Sequence, residues 1–248
     1  MPLMDEFKDE RAAMKDAPFK EKAQYFWTYY KWYVIVSVLA VLFVVSIVHT
    51  VLTKKDNGFY AVMLNAYAGA SSEEYTKDVA KLLELDTSKE QALFDSGIYI
   101  DFVMSDQRSM TSAQKFMVYL SAHELDVVVG ETSTIQHYAY SESFADLRKF
   151  LTPEQIEKYQ DRFIYYDQKY VDEKAAAIER GENYEYDFPK KPTDPSTMEN
   201  PVPFGIEVSD CKDITNNFAY ADPTIYICPI INTEHKDRVL TYIDSLFD

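Results

Sequence analysis

Four histidines, two cysteines and 41 carboxylates are the residues of this 248-residue chain with the best prospect of doing chemistry. The histidines are His49, His123, His137 and His235. His123 and Glu124, in "AHEL", form the first half of a zinc-protease signature, in which two histidines one helical turn apart hold the metal. The second histidine is missing, because that position is Val127. There is no G-x-S-x-G elbow, and six glycines leave no glycine-rich phosphate loop. Carboxylates are so common that no pair stands out as a general acid and base. The chain is therefore expected not to be an enzyme and to carry neither metal nor cofactor.

Cys211 and Cys228 admit two readings. A disulfide is permitted if the domain lies outside the cytoplasm. A buried free thiol suits the apolar run "TIYICPII" around Cys228 equally well.

The location follows from "KWYVIVSVLAVLFVVSIVHTVLTKK", residues 31–55. No charge falls between Val34 and Leu52. Nineteen helical residues span roughly 28 Å, close to the hydrocarbon core of a bilayer. In lipid such a segment must satisfy its own backbone, so a helix is expected despite its β-branched residues, with Ser37, Ser46 and Thr50 bonding back to the preceding turn. About thirty mixed-charge residues precede it and no small-residue cleavage site follows, unlike an export signal. Tyr25, Phe26, Trp27, Tyr29, Tyr30, Trp32 and Tyr33 form an aromatic belt at its N-terminal edge. Lys15, Lys20, Lys22 and Lys31 precede the span, whereas only Lys54 and Lys55 follow closely. The excess of basic residues puts the N-terminus in the cytoplasm. The expected organisation is a cytoplasmic juxtamembrane helical segment (1–33), a transmembrane helix (34–52) and an extracytoplasmic domain (57–248). Leu3, Phe7 and Met14 share one face of a first short helix, and Pro18 opens a second.

Residues 57–248 hold 17 Lys and Arg against 34 Asp and Glu. That excess repels nucleic acid and anionic headgroups. About 190 residues suffice for one domain with a real core.

Hydrophobic periodicity then orders the elements. "GFYAVMLNAY" (58–67) and "GIYIDFVMS" (97–105) read as strands. "SSEEYTKDVAKLLEL" (71–85) reads as a helix opened by a capping box of Ser71 and Glu74. A helix over 107–125 leads to "DVVVG" (126–130), a wholly apolar strand suited to the middle of a parallel sheet. "TSTIQHYAY" follows as a helix capped by Thr132 or Ser133. "SFADLRKFL" and "TPEQIEKYQ" are short helices, the second with Thr152 as cap and Pro153 in its first turn. "RFIYY" (162–166) is a strand. Residues 167–200 read as an irregular insertion with a helical stub at 172–180. "FGIEVS" (204–209) and "TIYICPII" (224–231) are the last strands. A terminal helix capped by Asn232 or Thr233 buries Val239, Leu240, Ile243 and Leu246. The order predicts an α/β fold, a mostly parallel sheet flanked by helices.

Several stretches together resemble type 2 periplasmic, or extracytoplasmic, solute-binding proteins. "AHELDVVVGETSTIQHYAYSESFADLRKFLTPEQIEKY" is similar to their strand, cleft-lining turn and following helix. "PVPFGIEVSD" resembles the strand after the hinge, and "IYICPIINTEHKDRVLTYIDSLF" their late strand and helix. "FYAVMLNAY" fits their first strand. The resemblance covers about residues 58–248 and implies a periplasmic-binding-protein-like fold. It departs from the family in two ways: most of the second lobe is missing, and a helix replaces the lipid anchor on cysteine.

Ligands of open α/β sheets bind beyond the carboxyl ends of strands, near helix N-termini. That rule and the resemblance select Asn65 and Tyr67 after the first strand. They select Ser105 and Asp106 after the second, Glu131, Thr132 and Ser133 after the third, and Gly205 facing them. Each also has a plain structural use, as a helix cap, a turn former or a solvated charge. Two functions follow as expectations. One is a non-enzymatic accessory subunit that contacts other membrane proteins. The other is a solute-binding or sensing protein for a small molecule or peptide, which the resemblance would pair with components of an ABC-type transporter.

Overall fold

The computed structural model describes residues 18–104, 106–184 and 188–247. The helix expected around Leu3, Phe7 and Met14 lies outside them. The chain divides into two compact units, Met1–Lys54 and Lys55–Asp248.

The first unit is built on helix α1 (Phe19–Thr53), 35 residues without interruption. Pro18 sits at its N-cap, one position before the first turn, and Lys22 N–H reaches the Pro18 carbonyl at 3.2 Å. Within α1 the 21 residues Tyr30–Thr50 are long and apolar enough to cross a membrane. Thr50 and Thr53 donate their hydroxyls to the carbonyls of Ser46 (2.9 Å) and His49 (2.7 Å). Phe26 stacks on Tyr30, with ring centroids 5.4 Å apart.

The second unit is α/β. It contains strands β1 (Asp56–Met63), β2 (Tyr67–Ala68), β3 (Glu90–Asp95), β4 (Val127–Glu131), β5 (Phe163–Asp167), β6 (Pro201–Glu207), β7 (Phe218–Ala219) and β8 (Ile225–Pro229). Its helices are α2 (Ser72–Leu82), α3 (Gln107–Ser121), α4 (Thr132–Ala139), α5 (Leu147–Phe150), α6 (Pro153–Tyr159), α7 (Gln168–Glu179), α8 (Lys212–Thr215) and α9 (Lys236–Ser245). Six strands form one sheet in the order β3-β1-β4-β8-β6-β5. β3, β1 and β4 pair in parallel, and β8 and β5 run against the other four. β2 and β7 form a small antiparallel pair.

Alternation along the strands divides the core. Phe59, Ala61 and Met63 of β1 and Val127 and Val129 of β4 face one side, with Val79 of α2, Leu147 of α5, Tyr159 of α6 and Tyr242 of α9. Tyr60, Val62 and Val128 face the other, with Phe116 of α3, Tyr138 of α4 and Val171 of α7. Central strands covered on both faces read as continuous apolar runs, which is why "VVV" and "FYAVM" are legible.

Several expectations change. Residues 97–104 form no strand, and β3 takes that edge of the sheet. Ser71 precedes α2 with helical backbone angles (φ −92°, ψ −1°) and makes no side-chain cap bond, so the capping box with Glu74 is not formed. An extended backbone at the cap is what lets the hydroxyl reach back to the first turn. Glu131, the last residue of β4, occupies the N-cap of α4 in place of Thr132 or Ser133. His235, not Asn232 or Thr233, occupies that of α9. The capping box of Thr152 and Gln155 on α6 does form.

The described residues between 167 and 200 (167–184 and 188–200) are more ordered than expected. α7 is a three-turn helix whose N-cap, Asp167, accepts from Lys169 N–H. Pro192, Glu199 and Asn200 are tied to β5, the last strand of the sheet. Tyr165 N–H donates to the Pro192 carbonyl (2.8 Å), and the buried Asp167 carboxylate accepts from the backbone of Glu199 and Asn200. The segment thus covers an edge that would otherwise invite pairing with another chain.

Cys211 and Cys228 are both free and buried, and they belong to core clusters on opposite faces of the sheet. That separation removes the disulfide reading. Burial pushes the Cys211 thiol up to about 11 and Cys228 well above the usual range, so both stay protonated and unreactive.

Candidate functional site

β1 and β4 are parallel neighbours, yet the helices that follow them, α2 and α4, pack on opposite faces. The crevice beyond their carboxyl ends is therefore a topological switch point, the usual ligand position in such sheets. A cleft of about 340 Å³ opens there. Asn65, Tyr67, Glu131 and Ser133 line it, joined by Tyr99, Asp101, Phe102, Val103, Thr134 and His137.

Asn65 is held in the left-handed region (φ 61°), which asparagine tolerates better than most residues. Its Nδ2 donates to the Ile100 carbonyl (2.9 Å) and to Thr134 Oγ1 (3.2 Å), and its Oδ1 accepts from Ile100 N–H (2.7 Å). Together with the Asn65 backbone N–H, which donates to the Ile98 carbonyl (3.1 Å), the side chain does for residues 98–100 what a neighbouring strand would do. This explains the missing strand there: Ile98 and Ile100 are buried, but β1 has already turned away.

Glu131 Oε1 accepts from the backbone N–H groups of Ala221 (2.9 Å) and Asp222 (2.8 Å), closing the β7–β8 loop over the cleft wall. Asp101 Oδ1 accepts from Val103 N–H (2.8 Å) and Met104 N–H (2.9 Å), which holds its carboxyl below the usual range. This tight turn drives the next three side chains outward. Val103 is 93% exposed, Met104 75% and Phe102 45%. Tyr67 stands exposed among the lining residues. The Phe102 ring lies on the His137 imidazole at 3.8 Å, and Phe188 meets the same imidazole edge-on at 4.6 Å.

The other selected residues do other work. Asp106 caps α3 by accepting from Ser109 N–H at 2.7 Å. Thr132 is directed at the Tyr226 hydroxyl and is outside the lining. Gly205 is buried in β6, away from the cleft, where an added Cβ would meet Cys228 Sγ at 2.8 Å. Ser105 lies outside the described residues.

No family model matches this chain, and neither a curated protein nor a solved structure matches it. Of the expected resemblance, the structure shows an α/β sheet flanked by helices and one apolar N-terminal helix.

Sequence reasoning missed the lip formed by Phe102, Val103 and Met104. Its signal was present as three apolar residues directly after an aspartate, but they were read as the end of a strand. His137 carries no signal in the sequence that sets it apart, yet its ring is partly buried in the cleft. Burial lowers its pKa below the usual 6.5. The folded protein therefore binds fewer protons than the unfolded chain, and its stability rises with pH. This contribution is full above pH 6.5 and is lost as pH falls through the lowered folded value. His137→Gln is expected to flatten the pH dependence of the thermal midpoint below pH 6.5; an unchanged slope would contradict the assignment.

A second cluster lies at the opposite end of β4. Asp126, 2% exposed, accepts from Tyr60 N–H (2.8 Å) and from the Thr233 hydroxyl, and lies 3.1 Å from His235 Nδ1. The Thr233 oxygen donates to Asp126 and accepts from His235 N–H. This ties it to the aspartate and not to the imidazole.

Proposed function

We propose that the chain is a single-pass membrane protein whose α/β domain is a non-enzymatic accessory subunit, engaging another membrane protein through the strand-end cleft and its apolar lip. The N-terminus faces the cytoplasm and the domain lies outside, following the distribution of Lys15, Lys20, Lys22 and Lys31 against Lys54 and Lys55. The exposure of Leu39 (60%) and Phe43 (67%) on α1 supports the anchor, because a core helix would bury them.

One observation carries the choice of partner. Two polar groups suited to recognising a small solute, the Asn65 amide and the Oε1 oxygen of Glu131, are already engaged in bonds within the domain. Beside them the cleft presents the exposed rings and aliphatic side chains of Tyr67, Phe102 and Val103, and Met104 continues the same apolar turn outside the lining. An exposed apolar lip of this kind suits a protein surface. A photo-reactive residue at Val103 of the full-length chain should capture a single protein in native membranes, and Val103→Asp should abolish its co-purification.

The solute-binding reading is favoured by the position of the cleft at the switch point and by its volume, within the range of small-ligand sites. A thermal-shift screen of the full-length protein in nanodiscs against sugars, amino acids, peptides and polyamines separates the two. A hit that persists in Val103→Asp, with no protein captured at Val103, would replace the accessory reading.

A further inference from the structure

Helix α3 is the odd surface of an acidic domain. Its sequence, "QRSMTSAQKFMVYLS", has no carboxylate, whereas α2, α7 and α9, the other domain helices of ten or more residues, each carry at least two. Ser109, Ser112, Phe116 and Leu120 face the core. The opposite face presents Gln107, Met110, Thr111, Gln114, Met117, Val118 and Ser121. These recur at the spacing of a coiled-coil seam, and none is charged. Met110, Met117 and Val118 are 55%, 48% and 63% exposed. The Thr111 and Ser121 hydroxyls donate to the carbonyls of Gln107 and Met117, so they add little polarity to the strip.

We propose that this face of α3 is the contact between two copies of the chain, packed antiparallel about a two-fold axis at Gln114. Charge decides the occupant. Residues 57–248 carry twice as many acidic as basic residues, so two copies meeting through most faces would bring carboxylates together. The α3 strip brings none. Its two cations lie beside the strip and point elsewhere: Lys115 is paired with Asp95 at 2.9 Å, and Arg108 lies over the Tyr99 ring at 5.4 Å. Gln114 is the midpoint of the helix. A two-fold axis there sets Met110 against Val118, Thr111 against Met117, and Gln107 against Ser121 of the second copy. The two Gln114 amides meet at the axis, where a polar pair fixes register.

The strip is about 22 Å long, so it covers only a fraction of the roughly 800 Å² per partner in a stable soluble complex. Confinement of both copies to one bilayer supplies the missing effective concentration. In this respect the inference rests on the single-pass reading above, and it is independent of what the cleft binds.

The test is disulfide trapping of the full-length chain in native membranes. Cys211 and Cys228 are buried and leave a low background. Gln114→Cys should yield a species of twice the chain mass on oxidation, lost at least tenfold when Val118→Asp is added. Ser121→Cys alone should not cross-link, because antiparallel packing separates the two copies of that position by about 21 Å. Equal trapping at both positions would overturn the two-fold arrangement. Monomer only, or an adduct with a different protein, would overturn the second copy as occupant. A chain released from membranes by carbonate would instead remove the anchor on which the proposal depends.

Discussion

Asp126→Ala is expected to lower the unfolding free energy of the domain by about 3 kcal/mol, the scale for removing a buried acceptor that several hydrogen bonds converge on. The carboxylate joins three elements. It accepts from Tyr60 N–H in β1, stands at the start of β4, and holds Thr233 and His235 before α9. Its own backbone continues the brace, since Asp126 N–H donates to the Tyr60 carbonyl and Ile230 N–H to the Asp126 carbonyl. Alanine would leave the Tyr60 N–H buried without its acceptor and release the Thr233 turn. For a domain of this size the midpoint should fall by roughly 6–12 °C. Asp126→Asn keeps the volume and one acceptor and should cost about half as much. Thermal unfolding of the full-length protein in detergent measures both. An alanine variant within about 0.5 kcal/mol of the parent, the spread of neutral surface changes, would mean that the cluster is not a brace. The cluster lies at the other end of β4 from the cleft, so the asparagine variant should leave capture at Val103 unchanged.

The elements that were legible in the sequence are those whose signal is local. β4 is three valines and a glycine buried on both faces, and α6 announces itself with threonine, proline and glutamine in register. α3 and α9 show helical periodicity with a single buried stripe. β3 was missed because "EQALFD" is short and mostly half-buried, with charged ends. Its strand character comes from pairing with β1, a contact some thirty residues away. The opposite error, a strand over 97–105, has the same origin. The alternation of Ile98 and Ile100 is real and both are buried, but their partner is the single residue Asn65, through its backbone N–H to Ile98 and its side chain to Ile100, rather than a strand. Periodicity reports burial, and it cannot report what satisfies the backbone.

The site shows the same division. The strand-end rule found Asn65, Tyr67, Glu131 and Ser133, because it depends on element order, which sequence reveals. It could not tell that Asn65 and Glu131 would be occupied by bonds inside the domain. Those bonds reach Ile100, Thr134, Ala221 and Asp222, up to 91 residues away. The lip from Phe102 to Met104 depends on a turn closed by Asp101, and the turn is invisible until the chain reverses there. Asp106 and Thr132 were chosen by position alone, and position does not say which way a side chain points.

Gly205 was chosen for the same reason, and the variant that separates its two roles is Gly205→Ala. A ligand-contacting glycine would leave stability unchanged on substitution and alter binding. The packing role predicts the reverse. The added Cβ would come to 2.8 Å from Cys228 Sγ and 2.9 Å from Ile164 Cγ2, inside a core where both neighbours are fully buried. Ile164 is β-branched and stiff at χ1, and Cys228 lies on β8, paired to both β4 and β6. Neither can retreat without moving a strand, so the substitution should cost about 1–3 kcal/mol by overpacking. Cys228→Ala opens space at the closest contact. The double variant should therefore lose less stability than the two single losses added together, with a coupling of about 1 kcal/mol or more. Purely additive losses would show that Gly205 is not packed against Cys228. Stability unchanged by Gly205→Ala, together with altered capture at Val103, would return the residue to the cleft.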